Sequence, residues 1–339
     1  MYKDLELWQF IADRLKQDQA VMLLVVAESS GSSPGRQGYK MAVGADGELF
    51  GSIGGGMMEV SLVEQSRSIL SEPPALVGGQ LQKPARSNGI ANTSIIAEQV
   101  HRKDSPNASG MICSGKQTVI FRILQPSDEG SALTIIGALE TRNADFLSMS
   151  PALFGIEARG IEGRVIDFEF ERESNTEYVY RERLGFKNDL YIVGGGHCAL
   201  ALSELMSKMD FYIRLFDDRP ALNTIAKNHF AHEIRILKHY ETVAHLIPSG
   251  DLSYVVVMTL GYRSDEIVIR SLLQSDLKYL GVLGSKAKMR TLLKALENEG
   301  FPPENLAAIH TPIGLAINSR TPEEIAISIA AEIISVKNA

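Results

Sequence analysis

The sequence is poor in cysteine, has no block of like charge and has no long apolar run. Only Cys113 and Cys198 occur in 339 residues. No disulfide framework can therefore hold the fold, and a packed core must do so. Cys113 has no companions of the kind that a structural zinc site needs. No apolar stretch approaches the ~18 residues that cross a bilayer, so no membrane span is expected. Met1 to Lys16 lacks a signal peptide's apolar region, because Asp4, Glu6, Asp13 and Arg14 interrupt it. With 34 basic against 41 acidic residues the net charge is −7, which argues against general nucleic-acid binding. A reducing cytoplasm is the simplest compartment for such a chain.

What is present is apolar residue in quantity (45%) and enough length for two domains. The most informative stretch is Asp189 to Ser203. Leu190 to Val193 reads as a short buried strand, Gly194, Gly195 and Gly196 turn the chain, and Ala199, Leu200, Leu202, Leu205 and Met206 form a helical stripe. Gly194, Gly196 and Ala199 fit the G-x-G-x-x-G/A spacing in its strand-to-helix context. A phosphate approaches a backbone where side chains are absent, and a helix N-terminus offers it free N–H groups. Phe211 to Phe216 reads as the next strand and ends in Asp217 and Asp218, where an acid could bind a ribose hydroxyl. Further strands read at 233–237, 254–259 and 279–283, with a short one near 306–309. Strands alternating with helices imply a parallel sheet with ligands at its carboxyl edge. That edge collects Gly194 to His197, Asp217, Asp218, Thr259, Gly284, Ser285 and His310. His197 reads equally as a ligand contact and as a cap on the turn. Cys198 reads as a small packing residue at the helix start. Lys288 and Arg290 follow the Gly284 turn and read as solvated. Thr321-Pro-Glu-Glu324 is a capping box.

The amino-terminal half is a mixed α+β pattern. Residues 5–15 form an amphipathic helix through Leu5, Trp8, Ile11, Ala12 and Leu15, and Val21 to Ala27 is a strand. Ser29 to Gly38 reads as a loop. Tyr39 to Val43 and Glu48 to Ile53 read as a hairpin. Ser52, Gly54, Gly55, Gly56 and Glu59 then make a second glycine junction before a helix whose packed face includes Val60, Leu62, Val63, Ile69 and Leu70. It reads either as a tight turn or as an anion site. Residues 72–116 show little periodicity. Cys113 stands among them on a glycine-flanked turn, as a packing residue or a reactive thiol. Gln117 to Leu124 is a strand, Ser131 to Glu140 a helix, and Phe146 to Ser148 and Val165 to Tyr180 are strands. The whole is an α/β chain, with an amino-terminal mixed domain over 1–185 and a Rossmann-like domain over 186–339.

Seven motifs run through the chain in order: Gly31-Ser-Ser-Pro-Gly-Arg-Gln-Gly-Tyr-Lys-Met41, Gly51-Ser-Ile-Gly-Gly-Gly56 with Glu59, Met111-Ile-Cys-Ser-Gly115, Val193-Gly-Gly-Gly-His197, Gly281-Val-Leu-Gly-Ser285, Ile309-His-Thr-Pro-Ile-Gly-Leu315 and Thr321-Pro-Glu-Glu-Ile325. Together they resemble the xanthine dehydrogenase accessory protein family, XdhC/CoxI. The resemblance implies a maturation factor that binds the molybdenum cofactor (molybdopterin), protects it during sulfuration and passes it to an apo-molybdoenzyme client, with a cysteine desulfurase as a further partner. It also implies a homo-oligomer, most simply a dimer, and a cofactor-related thiol at Cys113, through which the molybdenum could be met. Met57 stands where the family often has a cysteine, Ser114 where it has a glycine, and Ala316 where it has an aspartate. The histidine common after the threonine is missing from Thr259-Leu-Gly-Tyr262. A nucleotide in the Rossmann domain is the further cofactor expectation. Two other functions compete: an NAD(P)- or flavin-dependent oxidoreductase, with His197 and His310 as its acid–base candidates, and a nucleotide-sensing regulator. Cys113 and His197 are the catalytic candidates of the chain as a whole.

Overall fold

The structure, a computed structural model, describes residues 3–71, 76–77, 80–81, 94–100, 115–141, 145–158, 166–174 and 176–339. The chain divides into two compact units, Met1–Gly185 and Phe186–Ala339.

In the first unit α1 (Lys3–Lys16) precedes β1 (Val21–Gly31), β2 (Lys40–Gly44), β3 (Leu49–Gly51) and α2 (Gly56–Ser71). A two-residue hairpin, β4 (Leu76–Val77) and β5 (Gln80–Leu81), is followed by β6 (Ser94–Val100), β7 (Gly115–Leu124), α3 (Glu129–Thr141), β8 (Asp145–Met149), β9 (Phe154–Ala158), β10 (Phe168–Arg172) and β11 (Tyr178–Arg183). Two antiparallel sheets result, in the orders β3-β2-β1-β7-β6 and β10-β11-β8-β9. β1 explains the first sheet. All of Val21 to Ala27 is buried, because alternate side chains enter two different cores. Val21, Leu23, Val25 and Ala27 meet α1, α3 and the second sheet through Trp8, Ile11, Ile135, Leu147 and Tyr180. Met22, Leu24 and Val26 meet α2 through Leu62, Val63 and Ile69.

Several expectations change. Ser29 to Gly31 are strand, paired with Gly115 to Gln117 at the far end of β1. The strand expected over Val165 to Tyr180 is two strands, β10 and β11, and Val165 itself lies outside the described residues. Val60 is exposed; the buried face of α2 is Met58, Leu62, Val63, Ser66 and Ile69. β6 arises within the weakly patterned 72–116 because β7 offers it an edge.

The second unit contains β12 (Asn188–Val193), α4 (His197–Met206), β13 (Phe211–Asp217), α5 (Asn223–Ala226), β14 (Glu233–Ile236), β15 (Gly250–Val257), α6 (Tyr262–Leu272), β16 (Leu277–Val282), α7 (Lys286–Asn298), α8 (Pro303–Ala307) and α9 (Pro322–Lys337). Its sheet has the order β14-β13-β12-β15-β16 and is parallel throughout. This is a doubly wound, Rossmann-type arrangement. α4 and α9 cover one face over Leu190, Ile192, Ile213 and Val256. α6, α7 and α8 cover the other over Tyr191, Val193, Val255 and Val257. In place of the strand expected near 306–309, Leu306 and Ala307 end α8, and Ala308 and Ile309 are turn and bend. The extended contact comes at His310, bridged to Gly281 on the edge of β16. Thr321 caps α9 by accepting from the Glu324 N–H at 3.2 Å.

A buried ion pair joins the first unit's two sheets. Lys40 Nζ in β2 donates to Glu182 Oε1 in β11 at 2.8 Å, and both side chains are almost fully buried. Tyr180 Oη donates to Glu182 Oε2 at 3.0 Å, and Asp4 lies 3.4 Å from Lys40 Nζ. Burial lowers the lysine's affinity for its proton, but Asp4 and Glu182 outweigh it and hold the ammonium charged. Replacing one partner leaves the other charge buried and uncompensated. Lys40→Ala should therefore cost roughly 3–5 kcal/mol, and urea unfolding followed by circular dichroism measures it.

Candidate functional site

The expected site residues fall on two glycine turns and on the carboxyl edge of the parallel sheet. In the first unit, Gly54, Gly55 and Gly56 have φ of +125°, +75° and +73°, a region that L side chains rarely adopt. A Cβ on Gly54 would stand 2.4 Å from the Gly35 nitrogen, and one on Gly35 2.2 Å from the Ile53 carbonyl oxygen. The glycines thus let two loops touch backbone to backbone. Glu59, from the first turn of α2, places Oε2 among the donors: Ser52 Oγ at 2.7 Å, Ile53 N at 2.9 Å and Gly55 N at 3.0 Å. The anion at this turn is the chain's own. Gly115 reaches the same neighbourhood, since its Cβ would meet the Ser33 nitrogen at 2.5 Å. Cys113 and Ser114 lie outside the described residues. Met57, at the cysteine position of the resemblance, is 69% exposed.

In the second unit, Gly194 (φ +114°) ends β12. A Cβ there would lie 2.3 Å from the Met258 carbonyl oxygen, so this glycine serves close packing on the segment after β15. Gly195 faces Asp217. Its N–H donates to Asp217 Oδ2 at 2.6 Å. Arg219 completes the group: its N–H and Nε donate to Oδ1 at 2.8 and 2.9 Å, and its Nη2 donates to Oδ2 at 2.7 Å. Burial of Asp217 pushes its pKa up, but Arg219 and the Gly195 N–H outweigh that and the net direction is down. Asp218 is less enclosed and accepts from Tyr240 Oη at 3.1 Å. Gly196 differs from both its neighbours. It caps α4 without a side-chain bond, and a Cβ on it would meet nothing within 4 Å. His197 is exposed beside it, at one end of a groove between α4 and α9 lined also by Leu200, Glu204, Pro322 and Ile327. Cys198 packs into the α4 core, and burial, with Glu323 behind it, raises its thiol pKa.

Farther along the edge, Thr259 donates to Asp265 Oδ1 from N (3.0 Å) and from Oγ1 (2.5 Å). Lys288 Nζ binds Asp265 Oδ2 at 2.7 Å. Lys288 is therefore bonded to a buried carboxylate and is not merely solvated. Ser285 caps α7, accepting from Lys288 N at 3.3 Å, and a Cβ on Gly284 would strike Met289. The sequence marks Asp265 only indirectly: it occupies a core position of the stripe Asp265, Val268, Ile269, Leu272. His310 lies beside the carboxyl end of β16, bridged to Gly281. Its Nδ1 is 3.4 Å from Glu332 Oε1, its ring lies against Tyr279, and Tyr279 Oη donates to Glu332 Oε2. Among the described residues no group of three metal-ligating side chains occurs.

Residues 190–333 match the model described as XdhC Rossmann domain, and residues 14–77 match the XdhC and CoxI family model. The chain belongs to the XdhC and CoxI family. Among relatives, a protein named "Uncharacterized protein YqeB" from Escherichia coli K12 is 26% identical over 92% of this chain. This chain spans only 43% of that relative's length. A probable xanthine dehydrogenase subunit from Bacillus subtilis 168 is 24% identical, with 96% of each chain covered. A crystal structure described as a xanthine dehydrogenase from Bacillus halodurans superposes with a TM-score of 0.70 at 24% identity, covering 99% of this chain and 96% of that one. It shows that the fold is shared. No helix among the described residues of this XdhC/CoxI chain is long and apolar enough to cross a membrane.

The Asp217 cluster makes a pH prediction. A carboxylate whose folded pKa is lowered adds stability above its ordinary value near 3.8, and loses it as pH falls through the lower folded value. Arg219→Ala removes the guanidinium's share of that contribution and leaves the two backbone N–H bonds. The stability gap to wild type should be roughly 1.5–3 kcal/mol at neutral pH and should close in acid, as read by urea titrations across pH 2–7. At the other turn, Glu59→Ala frees Ile53 N and Gly55 N. Their amide hydrogen exchange should accelerate at least about tenfold, the equivalent of losing one hydrogen bond worth ~1.4 kcal/mol, while the β1 amides stay protected.

Proposed function

We propose that this protein is an accessory factor that carries the molybdenum cofactor to a xanthine dehydrogenase-type enzyme during its maturation. The observation that carries this reading is the pair of family matches, one in each compact unit and in chain order. A lone glycine turn would support far less. The name of the Bacillus subtilis relative, a probable xanthine dehydrogenase subunit, points to the same enzyme system.

The residues fit part of such a ligand. A molybdopterin ends in an anionic phosphate, and the start of α4 suits one: Gly196 is open and uncapped by any side chain, with His197 beside it. The turn at Gly54 to Gly56 suits it less well, because Glu59 already occupies the Ile53 and Gly55 donors. Bound molybdenum would supply a metal centre that a thiolate, as a soft ligand, could meet. Cys113 is the proposed thiol, since Met57 cannot provide one. Cys198 is a poor alternative, because burial keeps its thiol protonated. The apo-molybdoenzyme client, a cysteine desulfurase and a second copy of the chain are the proposed partners, and the cytoplasm is the proposed compartment.

The test is to purify the chain from a molybdopterin-producing host and assay the oxidised pterin by fluorescence. Wild type should carry molybdopterin. Cys113→Ser should retain several-fold less, with its unfolding transition nearly unchanged, and iodoacetamide should label Cys113 before Cys198. Lost stability with full retention would make Cys113 a packing residue.

A further inference from the structure

A Rossmann-type unit implies an adenine dinucleotide whose ribose diol is read by the acid at the end of the second strand. Asp217 holds that position at the end of β13. We propose that this domain does not read a ribose diol: Asp217 is an internal anion that ties β13 to the glycine turn, with Arg219 as its fixed counter-ion.

Three observations carry this. First, the carboxylate has no accepting position left. Each oxygen of Asp217 accepts two hydrogen bonds, at 2.6 to 2.9 Å, from Gly195 and Arg219. The side chain is fully enclosed. A diol would have to displace a guanidinium from a buried carboxylate, and a neutral hydroxyl is the weaker donor. Second, the space a ribose needs is closed. It must lie between the turn and the acid, yet Gly195 N and Asp217 are in direct contact. Ile225 of α5 covers Gly195 so closely that a Cβ there would be 2.8 Å from Ile225 Cγ1. Thr224 fixes that cover by donating from Oγ1 to the Gly195 carbonyl oxygen. Third, the first unit uses the same device. Glu59 is seated on the amides of Ile53 and Gly55 as Asp217 is on Gly195. In both places a carboxylate from the chain accepts the N–H groups of the glycine turn.

The consequence concerns specificity. The start of α4 at Gly196 remains open to an anion, so a phosphate-bearing ligand without a ribose diol is compatible with the site, and NAD or NADH held in the usual way is not. The inference is independent of the accessory-factor proposal, which needs no dinucleotide.

The experiment titrates the full chain with NAD+ and, separately, with NADP+, following binding by calorimetry and the Gly195 amide by NMR. A carboxylate that reads the diol binds NAD+ and repels the 2′-phosphate of NADP+. The expected result is no saturable NAD+ binding up to ~5 mM, where affinity is weaker than the millimolar scale, or NAD+ binding no tighter than NADP+. NAD+ bound at least about tenfold more tightly than NADP+, a difference of ~1.4 kcal/mol, together with a saturating shift of the Gly195 amide, would overturn the proposal. The ligand pair makes the comparison on the wild-type protein, so no variant has to fold. Molybdopterin retention is measured on separate samples, and its failure would leave this result standing.

Discussion

Inward-turned amides at a glycine turn have no side chain to shield them and must find an acceptor. This requirement shapes both units. At Gly195 the acceptor is Asp217, and at Ile53 and Gly55 it is Glu59. Glycine-rich turns before helices are usually read as cradles for phosphate, because the amides point outward to an anion. Here part of each amide set points to a carboxylate of the chain, and the glycines also allow close contact: Gly54 against Gly35, Gly194 against Met258. One sequence signature therefore serves packing, internal charge pairing and, at Gly196, an open helix start.

Buried or half-buried carboxylates recur in the same role elsewhere. Asp265 gathers Thr259 and Lys288 at the edge beyond β15 and β16. Glu182 gathers Lys40 and Tyr180 between the two antiparallel sheets. Glu332 gathers Tyr279, His310 and the Gly314 N–H. Each joins elements distant in sequence, and the Lys40–Glu182 pair is the most expensive to break because both of its side chains are buried. Polar side chains that look available for chemistry in the sequence are for the most part already committed to one another.

Much of the architecture was legible beforehand. The β/α alternation from Leu190 onward carried the parallel sheet, and the stripes through Trp8 and Ile11, and through Ile329 and Ile333, carried their helices. The motifs carried the family. Val60 looks like a core residue in the sequence, yet α2 packs through Met58, Leu62 and Ser66, a face that includes a polar residue and so does not stand out by hydrophobicity. Lys288 looks solvated in the sequence because its counter-ion lies 23 residues away, a pairing that spacing along the chain does not encode. β6 leaves no mark in the sequence pattern, since its strand exists by pairing with β7.

By itself the sequence determined where the chain turns, which segments are apolar on one side and which family it belongs to. These depend on local propensity and periodicity, which are properties of neighbouring residues. Tertiary structure alone decided which carboxylates are spent and which donors are open. Asp217 looks like a ribose acceptor until Arg219 and Gly195 are seen to surround it, and Gly195 looks open until Ile225 is seen to cover it. A hydrogen bond depends on separations of tenths of an ångström between groups brought together by folding, and no one-dimensional spacing carries that information.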